Sequence, residues 1–216
     1  MLPTGLNEIF GFAAPGYLLT LYAIGGLLAL NIIQIDTFSS AALVVLGLPV
    51  GYMWSYAVYY PYVWKKCASQ KKWAALVQST GRILADRNLD EKEVAVVHRV
   101  YAHLRWTKPL FAESMAFYHV RHHILRSCSV ILIVGSPILS VCLLIGGRFS
   151  ITEVPVLAVA LIAMVLLGCL CWSAADREMQ TTIEHYEFIT SLAESEMRTW
   201  TKGYITFRKK YAEEKA

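Results

Sequence analysis

Three histidines stand within five positions, His119, His122 and His123. Imidazole can bind a metal, move a proton near neutral pH, or pair with an anion. His119 and His123 are one helical turn apart, as metal ligands can be, and Glu113 or Glu184 could add a carboxylate. No HExxH or HxxEH string accompanies them, and Arg121 and Arg126 flank the set. The arginines tilt the reading toward anions. Two anionic partners suit them: lipid headgroups at a membrane surface, and the carboxylates Asp176 and Glu178. The candidate cluster is therefore His119, Arg121, His122, His123, Arg126, Asp176 and Glu178. No cofactor is implied.

A second set is aromatic. Tyr52, Tyr56 and Tyr60 share one helical face by their spacing of four. Buried in hydrocarbon, their hydroxyls need partners. They either pack helices together or line a ligand or conduction path. Tyr59, Tyr62 and Trp64 beside them read as an interfacial aromatic belt.

The elements that carry these residues are apolar and long. Cys128–Gly147 and Val154–Ala175 are charge-free runs joined by the short loop Arg148–Glu153. About 20 helical residues cross a bilayer core of about 30 Å, so these form a transmembrane hairpin. Ile9–Ile35 and Ala41–Trp64 are two more charge-free runs, separated by Asp36–Ser40. Pro15-Gly16 predicts a turn or kink, leaving Tyr17–Ile35 as the spanning part. Gly47 and Gly51 form a small-xxx-small pair suited to close helix contact. Asn31, Gln34, Ser55, Ser136, Ser140 and Ser173 are polar positions in the runs that could join helices or sparsely line a pore.

Lys and Arg set the orientation. Of the 20, 12 lie between Lys65 and Arg126, seven between Arg177 and Lys215, and one is Arg148. The positive-inside rule then puts both termini and the Lys65–Arg126 segment in the cytoplasm, around an inner membrane. The N-terminal residues lack the basic n-region of a signal peptide. The expected fold is an all-α membrane protein with four transmembrane helices and a helical cytoplasmic domain continuous with spans 3 and 4. Its parts are hairpin 1 (9–64), cytoplasmic helices (65–126), hairpin 2 (127–175) and a C-terminal helix and tail (176–216).

Between the hairpins three helices are expected. Trp73, Leu76, Val77, Thr80, Ile83 and Leu84 follow the i, i+3, i+4, i+7 pattern. Asp90 and Glu93 form a capping box for the next helix, whose stripe is Val94, Val97, Tyr101 and Leu104. Pro109 starts a third helix that runs into Gly147. After Asp176, a seam of Met179, Ile183, Tyr186, Thr190, Ala193, Met197 and Trp200 recurs at three- and four-residue steps, and Lys202-Gly203 is expected to end it. That seam suggests homo-oligomerisation.

The functional classes narrow by exclusion. Five cysteines show neither a disulfide framework nor zinc spacing. No Walker loop, Rossmann glycine fingerprint, GxSxG or kinase string is present. Short basic strings fit juxtamembrane anchoring better than nucleic acid. The apolar runs hold no charge, which argues against a proton- or ion-coupled transporter. In architecture the chain resembles the small multi-span membrane subunits of bacterial anti-phage defence systems. That resemblance implies a cytosolic part that senses a signal or binds a partner and a membrane part that perturbs the bilayer. The leading expectation is a non-enzymatic membrane effector or sensor, oligomeric and able to form a pore. Alternatives are a scaffold anchoring a cytosolic enzyme, and a lipid-handling or metal-dependent enzyme using the histidine cluster. Expected partners are membrane lipids, further copies of the chain and a cytosolic protein, with no nucleic acid.

Overall fold

The computed structural model describes residues 4–34, 37–148 and 150–213. Within them the side chains at 4–8, 10, 37–44, 91–92, 105–106, 109–119, 151, 209 and 212–213 fall outside the description. The described residues are all-helical, with no strand among them. The order is α1 (Thr4–Ala29), α2 (Thr37–Trp54), a π-helical stretch (Ser55–Val63), a 3-10 turn (Trp64–Lys66), α3 (Ala68–Ala85) and α4 (Glu91–Thr107), continuing through α5 (Pro109–Ile145), a second 3-10 turn (Ile151–Glu153), α6 (Val154–Leu192) and α7 (Glu194–Glu213). Among the described residues, three segments are long and apolar enough to cross a membrane: Gly11–Ala29, Val120–Ile145 and Val154–Leu192. The chain divides into two compact units, one of Met1–Lys65 with His119–Glu178, the other of Lys66–Tyr118 with Met179–Ala216.

In the first unit, α1 and α2 touch backbone to backbone. A Cβ built on Gly16 would sit 1.8 Å from the Gly47 carbonyl oxygen, and one on Gly51 would sit 1.8 Å from that of Phe12. Only glycine fits there. α1 runs on through Pro15 without the turn expected there, although Pro15 forfeits one helical hydrogen bond.

The first apolar run also stops being helical earlier than Ile35. Asn31 takes a left-handed φ of 58°, and the Ile32 amide bonds the Leu27 carbonyl at 2.9 Å, closing α1 in a Schellman turn. Asn31 is thus a helix terminator, and its side-chain oxygen accepts from Arg148, whose guanidinium also donates to Leu28 O at 3.0 Å. The one Lys or Arg outside the two basic segments therefore caps a helix C-terminus, where a cation is favoured. The second apolar run, Ala41–Trp64, is divided between α2 and the π-helical stretch.

The second unit has a core built from Leu76, Val77, Leu84, Val97, Leu104 and Met197, each at most 4% exposed. The predicted stripes supply these residues, but Ile83 is 45% exposed, Trp73 and Val94 are half-buried, and Val96 and Val100, outside the α4 stripe, join the core. Asp90 and Glu93 form the expected capping box. Arg87 then grips Glu93 through two bonds of 2.7 and 2.6 Å, tying the α3–α4 turn to that cap. Inside, Thr190 donates to Tyr186 O at 2.8 Å, so Tyr101 donates to Thr190 across 2.7 Å.

Two expectations about the C-terminal seam change. Met179, Ile183, Tyr186, Thr190, Ala193 and Met197 are buried within the chain itself, with Tyr186 edge-on to Trp73 and Tyr101 at 4.9 Å each. The seam serves this core, so it is no longer an argument for self-association. The helix also does not end at Lys202-Gly203. It breaks at Ala193 and then continues as α7 to Glu213. Glycine stops a helix by adopting positive φ, and Gly203 does not adopt one.

Candidate functional site

Trp64 brings a histidine pair and an aromatic wall together at the foot of the apolar helices. The π-helical stretch is the cause. Pro61 has no amide hydrogen, so the carbonyl four residues back loses its donor. The helix widens instead, and the Trp64 amide bonds Tyr59 O, five residues back. The wider turn leaves Tyr59 only 1% exposed. Its hydroxyl meets His123 Nδ1 at 2.8 Å. Tyr60 and Trp64 lie edge-on to the same imidazole, at 5.4 and 4.8 Å. His122, fully buried, is 4.0 Å from the His123 ring and 5.4 Å from Trp64.

The charged members pair across α5 and α6. Arg126 is 1% exposed and bonds Asp176 Oδ1 at 2.5 Å. Its guanidinium also lies 4.0 Å above the Trp172 ring, a cation–π contact. One turn further out, Arg121 bonds Glu178 at 2.7 Å. Antiparallel register read from the sequence puts Arg126 beside Asp176, and the two do meet. The carboxylate beside Arg126 lowers the cost of burying that cation, whereas Arg121 pairs at the exposed surface.

The remaining candidates separate. His119 lies on α5, but its side chain is outside the described residues, as is that of Glu113. Glu184 accepts from Gln180 at 3.1 Å. Among the described residues, no group of three or more His, Cys, Asp or Glu is placed to hold a metal. Tyr52 and Tyr56 form a ladder, 4.5 Å apart, that continues to Tyr60 at 5.8 Å and leans on Phe12. Tyr52 and Tyr56 are 53% and 55% exposed, so their phenols face outward along the helix.

Several contributors do not stand out in the sequence. Tyr59 reads as belt, yet its hydroxyl meets His123. Pro61 was its signal, because a proline inside an apolar run moves the residues just before it. Trp54 Nε1 donates to Ser127 Oγ at 2.6 Å, and Ser129 donates to Gly168 O at 2.7 Å. Small polar residues at the same depth as a tryptophan or a glycine were the trace of these contacts.

The arrangement offers two cation–carboxylate clamps, of which only the Arg126 cation is buried, and one imidazole–phenol bond along which a proton can pass. No protein-family model, curated protein or solved structure matches the chain.

Proposed function

We propose that the protein is a non-enzymatic effector or sensor of an inner membrane, oligomeric, pore-forming on assembly, and employed in anti-phage defence. It crosses the membrane four times, with both termini and the basic segments in the cytoplasm. The observation that carries this reading is the passage of α5 and α6 from polar into apolar sequence without a break. The two helices are clamped to each other at that passage by Arg121–Glu178 and Arg126–Asp176. Each helix thus carries polar and apolar sequence in one element, through which a signal received by its polar residues would act.

The fourth crossing is supported by the α1–α2 contact. Position 12 meets 51, 52 and 56, and position 16 meets 47 and 51. This is antiparallel packing, and the same register sets the first turn of α2 beside the last turn of α1. Antiparallel pairing with a helix able to cross the membrane is what supports a crossing by α2.

The test is conduction. Purified oligomer in a planar bilayer should pass ions, and Asp176→Ala should change that current. A silent bilayer holding intact oligomer turns the account toward the scaffold reading. One feature favours that second reading: a surface cavity of about 450 Å³ lined by His103, Thr199, Trp200, Gly203, Tyr204 and Phe207. Phe207 is 63% exposed there, as an aromatic anchor point for a cytosolic partner would be.

A further inference from the structure

We propose that the first unit holds a bilayer acyl chain in a cavity among α1, α5 and α6. The cavity measures about 350 Å³ and is open on one side. That volume is within the range of small-molecule sites. Its walls are Leu18, Leu139, Leu143, Leu157, Leu161 and Met164, and every one of them belongs to a segment able to cross a membrane. Soft, unbranched methionine in such a wall adapts to a mobile occupant.

The polar atoms at the cavity decide the chemistry of the occupant. Tyr22, Ser136 and Ser140 line it too. Tyr22 and Ser136 bond each other at 2.6 Å, and Ser140 donates to Ser136 O at 2.9 Å. With one hydroxyl hydrogen in the Tyr22–Ser136 bond and the Ser140 hydrogen on a carbonyl, these groups largely satisfy one another. They make little demand on a ligand, so the site selects hydrocarbon over a polar molecule. Depth agrees: Ser136 lies eight residues beyond Cys128, or about 12 Å along the helix. Acyl chains are the molecules present at that depth, and an apolar cavity does not hold water.

The packing around the cavity explains why it persists. A Cβ on Gly135 would sit 3.1 Å from the Tyr22 ring, and one on Gly25 would sit 3.3 Å from Leu139. These contacts bring α1 close to α5. By contrast, the apolar window of α6 is only 6% buried. Its small Ala160 stands at the cavity where a larger side chain would close it.

The inference rests on the membrane-embedded reading, and the experiment separates the two. Full-length protein is reconstituted in phosphatidylglycerol vesicles that carry a lipid with a diazirine in mid-chain. Label is then mapped by mass spectrometry on the cavity wall (Leu139, Leu161, Met164) and on outward residues (Val159, Ile162). Wall labelling should equal or exceed outward labelling. Ala160→Phe should cut wall labelling several-fold and leave outward labelling unchanged, and Met164→Trp should do the same if Ala160→Phe does not fold. Wall labelling that is absent, or unmoved by the filling variant that folds, overturns the acyl-chain site. Wall protection with a crosslinked dimer overturns it in favour of a second copy. Absence of label on both faces refutes embedding itself.

Discussion

Arg126 joins α5 to α6 within the apolar unit. It is buried and paired, and its partner Asp176 has a side chain 46% exposed. Removal of the two partners therefore has unequal effects. Asp176→Ala leaves a buried cation without that carboxylate and should cost about 3 kcal/mol. Arg126→Ala leaves a carboxylate that water can reach, although it also loses the Trp172 contact. The double variant should be less destabilised than the sum of the singles by about 1 kcal/mol or more, measured by thermal unfolding in detergent. Additive losses would show that the pair does not couple. In the second unit, Asp86 is the titrating residue to watch. The bond from Arg198, and then that from Lys202, holds its carboxyl below the ordinary value of 3.8. Because the folded value is lowered, the stabilisation is present above pH 3.8 and is lost as pH falls through the lowered value. Asp86→Asn should flatten the decline of melting temperature in that acid range. An unchanged acid slope would remove Asp86 from the account. At this scale the sequence was legible where charge met charge. Arg126 and Asp176 could be paired by counting along a hairpin. Tyr59 could not, because a widened turn rotates a side chain by an amount that helical spacing does not encode.

Elements were legible wherever a local rule had no tertiary competitor. The Asp90–Glu93 box and the Pro109 start both stand because they act within one turn of backbone. Pro15 and Gly203 read as a turn and a helix end, yet a helix continues through both. The two glycine environments give opposite predictions. Gly51→Leu drives a side chain into the Phe12 carbonyl and should destabilise the α1–α2 hairpin by about 2 kcal/mol or more. A Cβ on Gly203 meets nothing within 4 Å. Gly203→Ala should therefore stabilise α7 by about 0.5–1 kcal/mol, since it removes the entropy cost of helical glycine. Helix content and melting temperature of the two variants check both signs. A Gly51→Leu protein that melts like the parent would mean that the helices do not pack as described. The C-terminal seam shows why element patterns do not name partners. Its three- and four-residue steps are the same whether the face meets a second copy or, as here, the chain's own α3 and α4.

For the whole molecule, the basic residues fix less than they first suggest. By the positive-inside rule they group 65–126 with 177–215 on one side, as an α5–α6 hairpin across a membrane requires. They say nothing of the first hairpin, because no Lys or Arg precedes Lys65. A three-span chain with α1 alone crossing satisfies the positive-inside rule equally well. The two arrangements differ in where the segment between α1 and α2 lies relative to the basic segments. Packing of α2 along α1 argues that this segment is external. The deciding measurement is therefore a topology reporter inserted after Ser39, compared with reporters after Asp90 and after Ser150. A four-span protein gives an external signal at Ser39 and Ser150 and a cytoplasmic one at Asp90. A cytoplasmic signal at Ser39, with Ser150 still external, would contradict the four-span protein and leave α2 on the inner face of the membrane.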